Sequence, residues 1–365
     1  MKIYIIGQKG IPAVGGGVET HVNDLAVKLV EKGHEVFAYT RNNYSDKKIK
    51  EYQGIKLISL PSINTDSLDA ISHTFLACLD FIFRRKLKII HFHSIGPASL
   101  IWLIKIFRPR VKVIFTFHSQ CYYNSKWGKI AKIYLMLGEK IGCRLADEVI
   151  VVSKNLKKYV EEKYNRTVNY IPNGVNLPSK SSPEMIRKEW DLSKDSYILS
   201  VSRIVKNKGL EYLIEAYKKT KTNKKLLIVG DGPYLKGLEK LAGDNKNIIF
   251  TGRQSGKALN ELYSNAALFV QPSEAEGLSI SLLEAVSYKL PILISDIDAN
   301  TEVMGEDSFR FENKNTDDLK SKLSDFLNNN VSIEKNTELV YNKMISEYNW
   351  NNIINKTIDV YSKAL

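Results

Sequence analysis

The sequence predicts an α/β protein with two Rossmann-like, doubly wound domains that face each other across a cleft. Short apolar runs alternate with helical patterns in both halves, which is typical of parallel sheets with crossover helices. The length of 365 residues fits two ordinary cores better than one. The alternation breaks at Pro172-Asn173-Gly174, before a polar stretch from Pro178 to Pro183. We therefore expect domains at 1–172 and 173–345, and a last segment at 346–365.

Individual elements follow from the same patterns. In the first half, strands are predicted at Lys2–Ile6, His34–Tyr39, Lys88–His93, Val111–Phe117, Glu148–Val152 and Val168–Ile171, with a helix at Val18–Lys32. In the second half, they are predicted at Tyr197–Ser202, Lys225–Val229, Ile248–Thr251, Leu268–Gln271 and Pro291–Ser295. Helices are expected between them at Leu210–Lys219, Leu235–Leu241, Lys257–Ser264 and Ser281–Tyr288. The tail from Ser346 to Leu365 predicts a final amphipathic helix. Ligands of such folds usually bind at the carboxyl ends of the strands.

Composition narrows the class of protein. Apolar residues make up 44% of the chain and charged residues 25%, as in globular proteins. The three cysteines are odd in number and lack metal-ligand spacing, which favours a reducing compartment. No signal peptide or transmembrane segment is expected. Residues 1–170 hold 27 basic and 14 acidic residues, a net charge of +13, whereas the remainder holds 26 of each. This one-sided charge predicts an anionic partner for the first domain.

Two motifs suit a diphosphate. Gly15-Gly16-Gly17 follows the first strand and opens a helix, where backbone can approach an anion closely. It matches neither the dinucleotide fingerprint nor the P-loop, so a flexible turn is the alternative. Arg203 and Lys208 flank a strand-to-helix connection and could neutralise a diphosphate without a metal. The alternative is an exposed basic face, because Lys206 lies nearby.

Two carboxylates accompany these cations. Glu276 precedes a predicted helix, and Glu284 lies in its first turns. Carboxylates accept hydrogen bonds from neighbouring sugar hydroxyls, and the amides around Leu278 and Ser279 could face an anion. The alternative for Glu284 is a structural role at the start of the helix, because Ser281 to Glu284 matches a capping box.

Three histidines and one pair of aspartates are candidates for a metal site or for contact with a substrate. His118 ends an apolar strand and could bond to a sugar hydroxyl or a phosphate, although a buried structural role is the alternative. His91 and His93 share one strand face, but no third ligand is evident, so a zinc site is rejected. Asp296 and Asp298 follow a late strand and are interpreted as loop residues rather than a manganese site. We expect no metal.

The basic half carries two aromatic and cationic stretches, at residues 81–88 and 104–112. Their composition suits docking on anionic lipid. Tyr122, Tyr123 and Trp127 are candidate acceptor-binding residues, since aromatic rings can stack on sugars. They could also stack on bases, but no recognisable nucleic-acid motif accompanies them, so nucleic acid is not the expected partner.

Taken together, the fragments resemble the family 4 retaining glycosyltransferases, which have the GT-B fold. The resemblance covers almost the whole chain, and it includes Gly16-Gly17-Val18-Glu19, His118, Ala146-Asp147 to Val152-Ser153, Ile171 to Val175, Ser202-Arg203 to Lys208-Gly209, Gly230 to Pro233, and the Glu276 and Glu284 pair. The opening Gly7 to Ala13 is similar to bacterial polysaccharide-assembly members, including rhamnosyltransferases.

The resemblance implies a role for each matching residue. His118, Glu276, Arg203 and Lys208 would act on the reacting sugar and diphosphate. The rest of the donor site would be formed by Gly16, Gly17, Ser202, Arg253, Leu278, Ser279 and Glu284. Within it, Glu284 would bind the ribose and the Arg253 loop would lie near the base. Leu278-Ser279 replaces the aromatic residue and glycine that many relatives have, so the sugar stays open. The last helix would cross back onto the N-terminal domain.

The expected function is retaining transfer of a hexose from a UDP-, dTDP- or GDP-linked donor. The acceptor would be a glycan or a lipid-linked glycan in bacterial capsule or other cell-surface polysaccharide synthesis. No cofactor is expected beyond the nucleotide sugar. The enzyme would be cytoplasmic and peripherally bound to the inner face of the plasma membrane. The alternatives are a peripheral membrane or nucleic-acid-binding protein on the same scaffold, and a GT-B sugar-nucleotide epimerase.

Overall fold

The computed structural model describes residues 1–65, 68–85, 87–123, 127–306, 308–328 and 334–365. Lys86, in the first basic stretch, lies outside the described residues. The chain divides into two compact units: Met1–Gly174 together with Trp350–Leu365, and Val175–Asn349. No described helix combines the length and the apolar character needed to cross a bilayer.

The first unit is built on a twisted sheet whose described strands lie in the order β3-β4-β2-β1-β5-β6-β7-β8. Its strands are β1 Lys2–Ile6, β2 Glu35–Arg41, β3 Glu51–Tyr52, β4 Ile55–Leu60, β5 Ile89–His93, β6 Lys112–Phe117, β7 Glu148–Val151 and β8 Asn169–Tyr170. Its helices are α1 Gly17–Glu31, α2 Asp69–Phe83, α3 Ile95–Ala98, α4 Ile101–Phe107, α5 Lys129–Leu145 and α6 Lys154–Tyr164. The pairings are parallel except for the β3–β4 hairpin.

The second unit has a parallel sheet in the order β11-β10-β9-β12-β13-β14. Its strands are β9 Tyr197–Val201, β10 Lys225–Val229, β11 Ile248–Phe250, β12 Leu268–Gln271, β13 Ile292–Ser295 and β14 Arg310–Phe311. Its helices are α7 Met185–Trp190, α8 Leu210–Lys218, α9 Leu235–Ala242, α10 Gly256–Asn265, α11 Ile280–Ser287, α12 Asp298–Met304, α13 Thr316–Leu327 and α14 Glu334–Glu347, after which α15 spans Trp350–Ala364. The predicted fold class, with two Rossmann-like sheets, is confirmed.

The structure departs from the predicted strands at β3, β4 and β14, and from the predicted start of the last helix. Strands β3 and β4 were not predicted, although Gln53 and Gly54 between them both have positive φ, the pattern of a tight hairpin turn. The last helix was predicted from Ser346, but α14 continues through that residue. Helix α14 ends at Glu347. Asn349 forms a β-bridge with Val175, and α15 begins at the next residue.

Helix α15 completes the core of the first unit. Trp350, Ile353, Ile354 and Tyr361 are buried against α1 and one face of the sheet. The Trp350 ring lies so close to Gly174 that a β-carbon there would approach it to 2.5 Å. Each such side chain contributes roughly 1.5–3 kcal/mol when it is fully buried. The last helix therefore packs on the N-terminal unit, as the resemblance implied.

The other face of this sheet is covered by α2, α4, α5 and α6. In this series each helix contacts the next one. The ring of Phe81 in α2 meets Tyr4 of β1 edge-on, at 5.0 Å between centroids. Crossover connections between parallel strands are right-handed. A connection whose next strand lies closer to β8 therefore places its helix on this face, whereas the connection from β1 to β2, which leads toward β3, places α1 on the opposite face.

Candidate functional site

The second unit gathers Lys208 and Glu276 at the carboxyl ends of β9 and β12, which are neighbours in the sheet. The Lys208 ammonium and Glu276 Oε1 form an ion pair, and both side chains are largely buried. The same oxygen accepts hydrogen bonds from Ser273 Oγ at 2.7 Å and Gln271 Nε2 at 3.0 Å. Three donors on one oxygen hold the carboxylate firmly. Sequence reasoning missed Gln271 and Ser273.

A glycine allows this pairing. Gly209 has φ +62° and lies against the carbonyl of Pro272, where a β-carbon would come within 2.0 Å. The loop that carries Lys208 therefore rests directly on the loop that leads to Glu276. A backbone hydrogen bond of 2.9 Å from Glu274 to Asn207 joins the same two loops.

Two groups at this site remain available to a ligand. No described residue donates to Oε2 of Glu276, so this oxygen can accept from a hydroxyl. Arg203 is exposed and forms no ion pair with a described residue. Because Glu276 balances the charge of Lys208, the uncompensated positive charge comes from Arg203.

Glu284 does not cap its own helix. Helix α11 begins at Ile280, and its N-cap is Ser279, whose hydroxyl accepts from the Leu282 amide at 3.3 Å. The alternative role of Glu284, in a capping box that begins at Ser281, is therefore wrong. Glu284 instead accepts a 2.9 Å hydrogen bond from the Tyr263 hydroxyl. Burial, aided by the Glu284 carboxylate, raises the pKa of Tyr263 well above its usual value, so the phenol stays a donor.

The other predicted donor residues of this unit occupy loops. Ser202 follows β9, and its buried hydroxyl finds no partner among the described residues. Arg253 is exposed after Gly252, whose φ is +65°. Leu278 is buried beside the N-cap of α11. The structure therefore places Ser202, Leu278 and Ser279 with the Glu276 loops, and it leaves Arg253 on a separate loop after β11.

In the first unit, the glycine loop opens α1 as predicted, with Gly16 as the N-cap and Gly17 as the first helical residue. The Tyr44 hydroxyl accepts from the amides of Val14 and Gly15, at 2.8 and 3.0 Å, and so braces the loop. A β-carbon on Gly16 would lie 2.2 Å from a carboxylate oxygen of Glu19. An anion at this helix start would therefore meet a negative side chain as well as the amides.

Four histidines meet in the first unit, between the sheet and helices α1 and α15. Alternation along β5 and β6 turns His91, His93 and His118 to the α1 face. Nδ1 of His93 lies 3.0 Å from Nε2 of His118. The rings of His91 and His93 are 4.1 Å apart, and His21 of α1 meets His118 edge-on at 5.1 Å.

His91 ties this group to the last helix. Its Nε2 lies 2.7 Å from the Thr116 hydroxyl, and its Nδ1 lies 2.8 Å from the Tyr361 hydroxyl. Burial lowers the pKa of His21 to about 4 and that of His91 to about 3. Burial, reinforced by the neighbouring imidazoles, also holds the pKa of His93 and His118 well below the usual value. All four rings are neutral at pH 7.

The nitrogens of His21, His93 and His118 lie within 4.8 Å of one another, close enough to be considered as metal ligands. A third candidate ligand is therefore present, and the reason given for rejecting a zinc site is wrong. The expectation that the protein binds no metal stays a prediction. One clue was available in the sequence, since His118 follows a strand that could neighbour the strand of His93. The position of His21 on a helix required the fold.

The candidate acceptor residues differ in their surroundings. Tyr122 is buried, and its hydroxyl accepts from Gln120 at 2.7 Å and lies 3.2 Å from the Tyr159 hydroxyl. Tyr123 is 69% exposed, and Trp127 is half-buried. Of the three, Tyr123 offers the most aromatic surface to a ligand.

Comparisons with known proteins agree with this architecture. Residues 15–178 match the sequence model of the Glycosyltransferase Family 4, and residues 182–344 match that of Glycosyl transferases group 1. An uncharacterised glycosyltransferase of Methanocaldococcus jannaschii is 27% identical, with 100% of this chain and 99% of that protein covered. The alpha-monoglucosyldiacylglycerol synthase of Streptococcus pneumoniae is 25% identical over 80% of this chain and 70% of that enzyme.

Solved structures share the fold. Sucrose-phosphate synthase from Thermosynechococcus elongatus has a TM-score of 0.84 at 20% identity, with 99% of this chain and 98% of that chain covered. HepE of Anabaena, solved in complex with UDP-glucose, has a TM-score of 0.81 at 16% identity, with both chains fully covered. The chain is therefore a glycosyltransferase with the GT-B fold, and its first half matches the family 4 model.

Proposed function

We propose that this glycosyltransferase moves a hexose from a nucleoside-diphosphate sugar to a glycan or lipid-linked acceptor, with retention of the anomeric configuration. The observation that carries the proposal is the group formed by Arg203, Lys208 and Glu276 at the carboxyl ends of two adjacent strands. It combines cations suited to a diphosphate with a carboxylate oxygen suited to sugar hydroxyls.

In the proposed reaction, the bond between the anomeric carbon and the diphosphate oxygen breaks. The acceptor hydroxyl forms the new bond on the same face, and its proton passes to the departing phosphate. Negative charge grows on the leaving diphosphate, and Arg203 and Lys208 stabilise it. Arg203 supplies the net positive charge and Lys208 a charged hydrogen-bond donor, so the proposed reaction uses side chains and no metal ion.

The donor would be held along its length. Oε2 of Glu276 accepts from sugar hydroxyls, and the buried Ser279 end of α11 lies beside it in sequence. Glu284, oriented by Tyr263, binds the ribose diol. His118 contacts the sugar or a phosphate. The complex of HepE with UDP-glucose supports a nucleotide sugar of this kind, and UDP, dTDP and GDP remain the candidates for the carrier.

The decisive experiment compares two lysines of one short turn, residues Lys206–Lys208. Lys208→Met removes the buried cation, whereas Lys206→Met removes an exposed one. We expect Lys208→Met to lower kcat/KM about a hundredfold or more, as when a transition-state donor is deleted, and Lys206→Met to stay near wild type. A screen of UDP, dTDP and GDP sugars, with product analysis, provides the assay.

Several results would refute the proposal. Equal activity of Lys208→Met and Lys206→Met would show that Lys208 does not take part in the reaction. Failure to bind any nucleotide would favour a binding protein on this scaffold. A free epimerised sugar in place of an extended glycan would identify an epimerase, and an inverted anomeric configuration would exclude retention.

We also propose that the basic unit docks on the anionic inner leaflet, where a lipid-linked acceptor for cell-surface polysaccharide would lie. The sequence relative named alpha-monoglucosyldiacylglycerol synthase supports an acceptor with a lipid part. Helices α4 and α5 are neighbours and turn apolar side chains outward. This apolar α4–α5 surface consists of Trp102, Ile106, Phe107, Ile130, Ile133 and Leu137.

Charge on these helices favours a bilayer over a second copy of the chain. Helix α5 carries Lys129, Lys132, Lys140 and Arg144, while its acidic residue, Glu139, is fully buried. Beside α4, the two predicted basic stretches meet in a cavity of about 730 Å³ whose lining includes Arg84, Arg85, Arg108 and Arg110. Apolar side chains framed by cations match a headgroup layer over acyl chains.

A further inference from the structure

We infer that His93 is a positioning residue that fixes the tautomer of His118, so that His118 meets the substrate as an N–H donor through Nδ1 and not as a base. The inference deepens the proposed function and rests on it for the identity of the substrate. It starts from the 3.0 Å contact between Nδ1 of His93 and Nε2 of His118.

The first step concerns which ring supplies the proton of this hydrogen bond. Both rings are neutral, so each carries one N–H. Nε2 of His93 is buried and has no partner among the described residues. A buried N–H without an acceptor is rarer and costlier than a buried lone pair without a donor. The proton of His93 therefore belongs on Nδ1, where it donates to His118.

The second step follows from the first. Because Nε2 of His118 accepts, the proton of His118 is on Nδ1. No described residue bonds to Nδ1 of His118, and it is not among the buried unpartnered atoms, so it retains contact with solvent. Its partner in the complex must then be an acceptor, such as a phosphate oxygen or a lone pair of a sugar oxygen.

The surroundings hold this arrangement in place. The ring of His91 lies tilted against that of His93, and its two nitrogens are hydrogen-bonded to Thr116 and to Tyr361 of α15. The carbonyl of His93 lies against Gly7, which has φ +116° and where a β-carbon would come within 2.2 Å. His21 meets the His118 ring edge-on, at 5.1 Å between centroids. His93 therefore has little freedom to turn its other nitrogen toward His118.

The test combines spectroscopy with matched substitutions. Long-range ¹H–¹⁵N spectra of histidine-labelled enzyme at pH 7 report which nitrogen of each ring carries the proton, and a His118→Gln sample assigns the His118 signals. We expect the Nδ1–H form of His118 in wild type. In His93→Leu, which removes the donor to Nε2, we expect this preference to weaken, so that the Nε2–H form becomes measurably populated. His73→Asn, which alters a buried histidine outside this group, should leave His118 unchanged.

The kinetics of three variants at His93 distinguish a role in positioning His118 from a role in folding. An asparagine amide reaches the place of Nδ1, whereas a glutamine amide reaches the place of Nε2. His93→Asn should therefore keep most of the wild-type kcat. His93→Gln and His93→Leu should lower kcat about tenfold to a hundredfold with little change in donor KM, as for outer partners of functional histidines.

Three results would overturn the inference. These are an Nε2–H form of His118 in wild type, equal kinetics of the asparagine and leucine variants, or one equivalent of metal that copurifies and is lost in His93→Leu. If the spectra are as expected but no nucleotide sugar binds or reacts, the proposed function fails and the tautomer assignment stands.

Discussion

Single residues in the first unit show how burial sets protonation. His73 of α2 is fully buried outside the four-histidine group. Burial, with a smaller contribution from the Arg41 charge, lowers the pKa of His73 to about 4. In the unfolded chain the same group titrates near 6.5, so between these values the unfolded state binds the extra proton. The free energy of unfolding therefore falls as the pH falls through this window.

We predict that His73→Gln flattens this dependence. Between about pH 6 and pH 4.5, each such histidine costs about 1.4 kcal/mol of stability per pH unit, and glutamine does not titrate. Urea unfolding at pH 7, 6 and 5 measures the slope for both proteins. Parallel pH profiles for the variant and wild type would show that the pKa of His73 does not differ between the folded and unfolded states. The other buried histidines make the enzyme acid-labile in the same direction.

At the scale of elements, the candidate site depends on how two loops meet after β9 and β12. The turn of Lys206–Lys208 leads into α8, and Gly209 allows it to touch the Pro272 carbonyl. The hydrogen bonds of Glu276 come from its own loop and from this neighbour. The geometry of the carboxylate is therefore a property of the loop pair.

Two glycines of the second unit test this dependence. Gly209 and Gly256 have similar positive φ values, +62° and +55°, but only Gly209 has a close neighbour, and Gly256 faces open space. Gly256→Ala should cost about 1–2 kcal/mol from backbone strain alone. Gly209→Ala should cost a further 1–3 kcal/mol or so, because the loops must separate, and it should also lower activity. Denaturant unfolding and donor turnover measure the two effects. Equal losses would mean that the contact at Pro272 is unimportant.

For the whole molecule, charge and exposed apolar surface coincide on one unit. The excess of 13 positive charges belongs to the first 170 residues, which also contain the apolar α4–α5 surface. Long-range attraction by such a unit is screened by salt, whereas insertion of apolar side chains is not. Membrane binding should therefore have a salt-sensitive part and an apolar part.

We predict that Ile130→Ser/Ile133→Ser weakens binding to anionic vesicles about tenfold or more, since it removes about 2 kcal/mol of apolar contact. Leu339→Ser is the matched control, because Leu339 of the second unit is 64% exposed and Ile133 is 67% exposed. Flotation with anionic and neutral vesicles at low and high salt gives the measurement. Equal binding to both vesicle types would contradict the proposal, as would a change of oligomeric state in the isoleucine variant with unaltered flotation.

Sequence patterns alone were enough to predict the two doubly wound sheets and the strand ends that carry Arg203, Glu276 and His118. These features are local, because strand periodicity and the residue after a strand can be read along the chain. The hairpin turn at Gln53-Gly54 is also a local feature, but β3 before it has only two residues, so no alternation of apolar and polar residues marks that strand.

Which side chains contact one another depends on the folded arrangement of the whole unit. His91 and Tyr361 are 270 residues apart, yet they share a hydrogen bond. Glu284 is paired with Tyr263 instead of its own helix start, and the isoleucines of α5 face outward. These contacts depend on strand order and on the rotation of each helix about its axis. Both are fixed by packing between distant segments, which no local pattern records.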